Sequence, residues 1–155
     1  MNLYLLRHGE AEARQYDDPQ RALTGRGKLE VRDVARQFAA RKVPLDLCLH
    51  SPYLRTTQTA EVFMAELGSS LRPLPQPVLT PEHRAFKVLD HLRTLQVEHV
   101  LLVTHNPLVS ELYAVLTGAD MQIMHVFGTS ELNAVHCDVV DAGCGAGQFR
   151  LQARV

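Results

Sequence analysis

The sequence predicts an α/β protein with a mainly parallel sheet that is flanked by helices on both faces. Short apolar runs alternate along the chain with segments of helical periodicity, which is typical of this fold class. The run at 100–103 contains four consecutive apolar residues, as expected for a central parallel strand. The chain has 155 residues, so we expect 1–155 to form one domain.

The first predicted unit is a strand followed by a loop and a helix. Residues 2–6 are apolar and end at Arg-His-Gly (7–9), which predicts a buried strand and then a turn. Residues 10–23 are polar and predict a loop. Thr24 is a capping residue for a helix whose apolar residues recur at helical spacing until Pro44 ends the pattern.

The second unit repeats this order. Alternating leucines at 45–49 predict a strand, and Ser-Pro at 51–52 predicts the start of a helix that runs to Gly68. A proline-rich loop follows, with a short strand expected at 78–79. Thr-Pro-Glu at 80–82 predicts the start of a third helix, which leaves no room for a lid insertion.

The last third of the chain predicts the central strand, a helix and a hairpin. The strand at 100–103 is followed by Asn-Pro, which opens a helix over 106–116 that ends near Gly118. Residues 131–140 and 148–153 predict two strands. The glycine-rich stretch 141–147 would form the turn between them, so the sheet ends in an antiparallel hairpin.

Four basic side chains follow the predicted parallel strands. Arg7 and His8 come after the first strand, Arg55 lies on the first turn after the second, and His105 follows the central strand. Open α/β sheets bind ligands at the carboxyl ends of such strands. Two guanidiniums and two imidazoles suit a dianionic phosphoryl group, since a neutral imidazole is a nucleophile and the arginines supply positive charge. We therefore expect a phosphoryl-binding site without a metal or another cofactor.

Charge and composition exclude several classes of protein. Lys and Arg total 16 and Asp and Glu 17, a balance that gives no charged surface for nucleic acid. No apolar run approaches the roughly 18 residues of a membrane span, and the first residues do not resemble a signal peptide. Three cysteines, an odd number without a CxxC motif, argue against a disulfide framework. We expect a cytoplasmic monomer with free thiols and no membrane partner.

Neither a zinc site nor a cysteine nucleophile is expected. His136 and Cys137 are adjacent strand residues that point to opposite faces, so they and Cys144 are unsuited to hold one metal ion together. Six residues separate Cys48 from Arg55, one more than in the C-x5-R pattern of cysteine phosphatases. Its place in an alternating strand favours a role in the core.

The same motifs carry a family resemblance. Residues 6–10 (LRHGE) resemble the RHG signature of the histidine phosphatase superfamily, which has a phosphoglycerate-mutase-like fold. Residues 23–27 (LTGRG) resemble its LTxxG element, residues 51–60 its SPxxRxxQTA segment, and residues 103–106 its late strand-end histidine. The segments occur in the family order over essentially the whole chain. Within the superfamily, residues 79–81, 105–109 and 128–130 resemble the short SixA-type phosphohistidine phosphatases.

The resemblance implies a role for each site residue. His8 would be the nucleophile that forms a phosphohistidine intermediate, while Arg7, Arg55 and His105 would bind the phosphoryl group with help from the backbone of Asn106. It also implies a metal-independent phosphatase, one histidine-phosphatase domain without a cofactor. The expected partner is a His-phosphorylated protein of a phosphorelay or phosphotransfer system, and a phosphate-like anion would occupy the site.

The general acid of larger superfamily members has no clear counterpart here. Glu82 is the candidate, because it is the nearby carboxylate in the expected region. An imidazole leaving group needs less acid assistance than an alkoxide, so a site with little acid assistance favours phosphohistidine. Two alternatives stay open at this point: a phosphatase of small phosphomonoesters, and a non-catalytic phosphate-binding module.

Overall fold

A computed structural model describes residues 1–14 and 17–155, so residues 15 and 16 of the predicted loop at 10–23 lie outside the described residues. The described part contains six strands, four α-helices and two short 3-10 turns. In chain order these are β1 (Asn2–Arg7), a 3-10 turn (Asp18–Gln20), α1 (Gly25–Ala39), β2 (Leu47–His50), α2 (Leu54–Glu66), β3 (Leu74–Pro75), a 3-10 turn (Pro77–Leu79), α3 (Ala85–Leu92), β4 (His99–Thr104), α4 (Leu108–Thr117), β5 (Leu132–Cys137) and β6 (Gly145–Leu151).

The six strands form one sheet in the order β3-β2-β4-β1-β5-β6. The pairs β1–β4, β2–β4 and β2–β3 are parallel, whereas β1–β5 and β5–β6 are antiparallel. The prediction of a mainly parallel sheet with a C-terminal antiparallel hairpin is therefore confirmed. The central position of β4 also agrees with its apolar sequence, because its residues from Val100 to Thr104 are buried.

Helices cover both faces of the sheet, as predicted. On one face, α1 and α2 pack on the strands through residues such as Val31, Phe38 and Phe63. On the other face, α3 and α4 pack through residues such as Leu89 and Leu112. Among the described residues, no helix is both long and apolar enough to cross a bilayer.

Several predicted helix ends are confirmed by their local geometry. Thr24 precedes α1, and its hydroxyl accepts a hydrogen bond from the Gly27 N–H at 2.9 Å. Gly68 follows α2 with φ +62°, and Gly118 follows α4 with φ +72°. Both glycines therefore end their helices in the left-handed conformation that side chains disfavour.

The helix predicted to begin at Ser51-Pro52 begins instead at Leu54. Tyr53 is extended, with φ −62° and ψ 145°, so it cannot belong to the helix. The Ser51 hydroxyl, expected to cap the helix, lies 2.7 Å from His105 Nε2. Arg55 is nevertheless on the first turn of α2, as predicted.

The third helix was predicted to begin at 80–82, and this was wrong. Thr80 closes a 3-10 turn over Pro77–Leu79, which also replaces the strand predicted at 78–79. The short strand is Leu74–Pro75. Helix α3 begins at Ala85, whose N–H donates to the carboxylate of Glu111 on α4 at 3.4 Å. The helix start therefore depends on a distant acceptor.

The glycine-rich stretch predicted to be a turn is partly strand, since β6 begins at Gly145. A Cβ atom at Gly145 would lie 2.6 Å from Val135 Cγ1 and 2.9 Å from the Leu116 carbonyl oxygen. A Cβ atom at Gly147 would lie 2.7 Å from the hydroxyl oxygen of Tyr113. These glycines allow β6 to pass close to its neighbours.

Candidate active site

The carboxyl ends of β1, β2 and β4 meet at one edge of the sheet. Arg7 pairs with Thr104 in the parallel register of β1 and β4. The His8 N–H donates to the Thr104 carbonyl at 3.0 Å, and the Ser51 N–H donates to the Val103 carbonyl at 3.0 Å. This register places the residues that follow the three strands next to one another.

A cavity of about 440 Å³ opens at this edge. The structure brings together four of the predicted residues in its lining, Arg7, His8, Arg55 and His105, and Asn106 joins them. The remaining lining residues are Glu10, Ala11, Arg14, Asp18, Arg21, Pro81 and Thr129.

His8 is buried and, with His105, forms the floor of the cavity. Its Nδ1 is 2.7 Å from the Gly9 carbonyl oxygen, which can only accept, so Nδ1 carries the proton. The lone pair is then on Nε2, which accepts from Arg55 Nε at 3.4 Å. Burial, with the charges of Arg55 and Arg7, lowers the pKa of His8 to about 3, although the bond to Gly9 opposes this shift. His8 is therefore a neutral imidazole with its lone pair on Nε2.

Gly9 lets the chain turn closely behind His8. A Cβ atom at this position would lie 2.9 Å from both the Gly27 carbonyl oxygen and Val31 Cγ2. The Gly9 N–H donates to the Thr59 hydroxyl at 3.1 Å. The glycine of the predicted turn is thus required by the packing of α1 against the loop.

Arg7 and Asn106 are held by one backbone carbonyl. Arg7 Nη1 and Asn106 Nδ2 each donate to the Phe127 carbonyl oxygen at 2.8 Å. The Asn106 side-chain oxygen in turn accepts from the Ser110 hydroxyl at 2.6 Å. Arg7 Nε is buried and has no partner among the described residues. That donor is therefore available to an anion, since a buried N–H without an acceptor is unfavourable.

His105 faces His8, with 5.3 Å between the ring centroids. Its Nε2 lies 2.7 Å from the Ser51 hydroxyl, while Nδ1 is buried without a partner in the described part of the chain. Burial, aided by His8 and Arg55, lowers the pKa of His105 to about 2. The site therefore pairs two neutral imidazoles with charged guanidiniums, which is a suitable environment for a phosphoryl dianion.

Comparison with known proteins identifies the family. The model of the histidine phosphatase superfamily (branch 1) matches residues 3–77. Phosphohistidine phosphatase SixA of Escherichia coli (strain K12) is 35% identical over 98% of this chain and 92% of its own length. The chain belongs to the histidine phosphatase superfamily. Within it, the chain is of the SixA type.

Two further relatives support this assignment to the superfamily. The phosphohistidine phosphatase SixA homolog of Haemophilus influenzae is 34% identical over 76% of this chain and 78% of its own. The structure of the protein histidine phosphatase SixA complexed with tungstate superposes with a TM-score of 0.89 at 31% identity. The superposition covers 98% of this chain and 97% of the solved chain, so the predicted fold class is confirmed.

Glu82, the predicted candidate for the general acid, does not lie with the other predicted site residues in the cavity. It is exposed in the loop between the second 3-10 turn and α3, and it is not among the residues that line the cavity. Its own backbone N–H and the Thr80 hydroxyl hold the pKa of its carboxyl below the usual range, against a small effect of burial. Glu82 is therefore ionised at neutral pH and lacks a proton to donate.

Sequence reasoning missed the charged residues of the loop at 10–23. Asp18 Oδ1 accepts from Arg21 Nε at 2.8 Å, and Asp18 Oδ2 accepts from Arg55 Nη2 at 3.2 Å. Burial alone would raise the pKa of Asp18, but Arg55 and Arg21 lower it. The available signal was the spacing of Arg14, Asp18 and Arg21, because opposite charges three and four residues apart commonly pair.

Among the described residues, no group of three or more His, Cys, Asp or Glu side chains could hold a metal ion. Cys48, Cys137 and Cys144 are free thiols, and Cys48 is buried in the core. The positive charge of the cavity comes from its arginines.

Proposed function

We propose that this chain is a phosphohistidine phosphatase that acts on His-phosphorylated phosphotransfer proteins of a phosphorelay. The observation that carries the proposal is the neutral imidazole of His8, whose Nε2 lone pair faces a cavity lined by arginines. The names of the SixA relatives and the binding of tungstate, a phosphate mimic, by one of them support the same activity.

In the first step, His8 Nε2 attacks the phosphorus of the substrate phosphohistidine. The P–N bond to the substrate breaks, its electron pair goes to the leaving imidazole nitrogen, and that nitrogen takes a proton from solvent. Arg7 and Arg55 neutralise the phosphoryl oxygens, with the backbone of Asn106 as a further donor.

We assign the His105 proton to Nδ1, because the Ser51 hydroxyl accepts from the Tyr53 N–H and is free to donate to His105 Nε2.

In the second step, water attacks the phosphorus of phosphorylated His8. The P–Nε2 bond breaks, its electron pair returns to Nε2, and the proton lost by water goes to the departing phosphate or to solvent. His8 is then neutral again and ready for another cycle, which its low pKa favours. The same arginines stabilise the charge in both steps, because both transfer the phosphoryl group at the same place.

The substrate class follows from the leaving group that the site can release. Glu82 is ionised and lies outside the cavity lining, so it is poorly suited to protonate an alkoxide. Between α2 and α3 the chain has only β3 and one 3-10 turn, which leaves the cavity uncovered by an inserted domain. An open site in which Glu82 is not placed to donate a proton favours an imidazole leaving group on a protein over the alkoxide of a small ester.

We further propose that the reaction needs no metal, and that the protein works as a cytoplasmic monomer. The arginines supply the positive charge that a metal ion would otherwise contribute. Activity in EDTA tests the first point, and light scattering of the purified protein tests the oligomeric state.

The test is a single-turnover reaction, in the presence of EDTA, with a phosphotransfer domain that carries a labelled phosphoryl group on its histidine. Wild type, His8→Ala and Glu82→Gln are compared on this substrate and on a panel of small phosphate esters. We expect rapid loss of label from the protein with wild type and Glu82→Gln, and none with His8→Ala. A phosphoenzyme should appear only when His8 is present.

The other outcomes identify the alternatives. Rapid hydrolysis of an ester with no reaction of the protein substrate would indicate a phosphatase of small phosphomonoesters, most clearly if Glu82→Gln abolished it. Tungstate binding by wild type and His8→Ala without turnover of any substrate would indicate a phosphate-binding module. Comparable rates on sugar phosphates and phosphohistidine would contradict the proposed specificity.

A further inference from the structure

Three of the four arginines that line the cavity, Arg14, Arg21 and Arg55, converge on the carboxylate of Asp18. Its Oδ1 accepts from Arg21 Nε at 2.8 Å, and Arg14 Nε lies 3.8 Å from the same oxygen. Its Oδ2 accepts from Arg55 Nη2 at 3.2 Å, and its backbone carbonyl accepts from Arg55 Nη1 at 2.9 Å. All of these residues line the cavity together with His8.

The two donor edges of the Arg55 guanidinium have different partners. Nη1 and Nη2 form the end edge, which donates to Asp18. Nε lies on the side edge and donates to His8 Nε2. Arginine binds phosphate through two donors of one edge. The side edge is therefore the one left for a phosphoryl oxygen at His8, and Asp18 fixes its direction.

The charge of Asp18 has a second consequence. A carboxylate beside the cavity attracts the arginines but repels a phosphate dianion. The reaction releases free phosphate, which the arginines attract as they attract the substrate. A fixed negative charge therefore weakens the binding of this product and promotes its release.

We propose that Asp18 is a positioning residue that directs the side edge of Arg55 towards the phosphoryl group at His8 and, through its charge, limits the affinity of the cavity for free phosphate. This inference rests on the proposed function for the orienting part. The effect on phosphate affinity is independent of turnover, so the two are separated by experiment.

The first experiment is calorimetric titration of inorganic phosphate into wild type, Asp18→Asn and a matched control, Asp17→Asn. The control removes the exposed neighbouring charge, which is not part of the cavity lining. Asparagine keeps one side-chain acceptor and the backbone carbonyl for Arg55. We expect Asp18→Asn to bind phosphate about tenfold more tightly, or about 1.4 kcal/mol, with no change in the control. Unchanged or weaker binding by Asp18→Asn would overturn the charge role.

The second experiment measures the rate at which His8 is phosphorylated in a single turnover with the labelled phosphotransfer domain. We expect Asp18→Ala to lower this rate about tenfold or more with little change in KM, and Asp18→Asn to recover part of it. A merely structural role would lower the midpoint of thermal unfolding in proportion, so that midpoint is recorded for each variant.

Two results with Asp18→Ala would contradict the orienting role of Asp18. If Asp18→Ala reacted as fast as wild type, Asp18 would not orient Arg55. A faster reaction would mean that the carboxylate blocks Arg55, which also contradicts the inference. If wild type transferred no phosphoryl group from any substrate, the proposed function would fail, and the phosphate titration would still decide the assignment of Asp18.

Discussion

Two segments next to the cavity hold their arginines by different means. The ion-paired segment, residues 11–14 and 17–23, is organised around Asp18, whose side chain is 26% exposed, and it engages Arg55. The buried-carboxylate segment, residues 125–131, is organised around Glu131, whose side chain is 1% exposed. Its Phe127 carbonyl holds Arg7.

The Glu131 carboxylate is satisfied almost entirely by protein donors. It accepts from the Gly128 N–H at 2.8 Å, from Asn133 Nδ2 at 2.8 Å and from Arg150 Nε at 2.9 Å, and His125 Nε2 is also in contact. Burial alone would raise the pKa of Glu131, but the Gly128 N–H, the Asn133 amide and His125 lower it. The segment therefore folds around an ionised carboxylate that solvent does not reach.

The difference between the two segments indicates which arginine has its position tied to the stability of the fold. Removing a fully buried, hydrogen-bonded carboxylate costs roughly 3–5 kcal/mol, whereas removing a carboxylate that solvent reaches costs less, because water screens its charge. The position of Arg7 is thus tied to the stability of the fold. The Arg55 side chain is itself buried, but its orientation depends on a carboxylate that is partly open to solvent and can be changed at a smaller cost in stability.

The strongest test of this comparison is Glu131→Ala. We expect a loss of about 3–5 kcal/mol in the free energy of unfolding, since the Gly128 N–H and the Asn133 amide lose their acceptor inside the protein. Urea titration followed by circular dichroism measures this loss.

Asp18→Ala provides the contrast to Glu131→Ala. We expect a smaller cost, roughly 1–2 kcal/mol, because Asp18 is partly exposed. Arg55 is buried, but its Nη1 keeps the backbone carbonyl of residue 18, and Arg21 keeps the Glu12 carbonyl. Equal losses from the two variants would contradict the view that only one segment is fixed by a buried carboxylate.

A second prediction concerns the ends of the ion-paired segment. A Cβ atom at Gly27 would lie 2.1 Å from the Glu10 carbonyl oxygen, so backbone must move to accept it. We expect Gly27→Ala to lower the free energy of unfolding by about 2–3 kcal/mol and to reduce the activity, because Glu10 directly follows the turn of His8. The same urea titration measures the loss.

Gly25→Ala is the matched control, two residues earlier on the same helix. No atom lies within 4 Å of the position that its Cβ would occupy. We expect a change of less than about 1 kcal/mol, and in the stabilising direction, because alanine favours a helix over glycine. If both variants behaved alike, close contact at Glu10 would not fix the beginning of the ion-paired segment.

Much of the site could be predicted from the sequence because its determinants are local. Arg7, His8 and His105 follow apolar strands, and Arg55 follows a strand and a Ser-Pro pair. Parallel strands bring the residues at their carboxyl ends to one edge of the sheet, and this does not depend on the exact residue at which a helix begins. An error of a few residues in the start of α2 therefore did not displace Arg55 from the site.

The features that sequence reasoning missed depend on contacts between distant parts of the chain. The start of α3 depends on Glu111, which is 26 residues beyond Ala85. Asp18 contacts Arg55 across 37 residues, and Arg7 contacts the Phe127 carbonyl across 120. Local patterns report capping and periodicity, but they do not reveal which acceptor a folded chain supplies from elsewhere.

The pH dependence of stability distinguishes the two histidines of the cavity from both segments. In the folded protein the pKa of His8 is about 3 and that of His105 about 2, whereas an unfolded histidine titrates near 6.5. Below about pH 6.5 the unfolded chain therefore binds more protons than the folded one, and stability falls as the pH is lowered. Each of the two imidazoles contributes a slope of up to about 1.4 kcal/mol per pH unit.

The window between about pH 6.5 and 5 isolates the two imidazoles from the carboxylates. Asp18 and Glu131 have lowered pKa values in the folded protein, so their contributions are present above the unfolded values near 4 and are lost only at lower pH. Urea titrations at pH 7, 6 and 5 measure the slope. In His8→Gln/His105→Gln the slope should become shallower by up to about 2.7 kcal/mol per pH unit, because neither glutamine takes up a proton. An unchanged slope would mean that the floor of the cavity does not hold its histidines neutral.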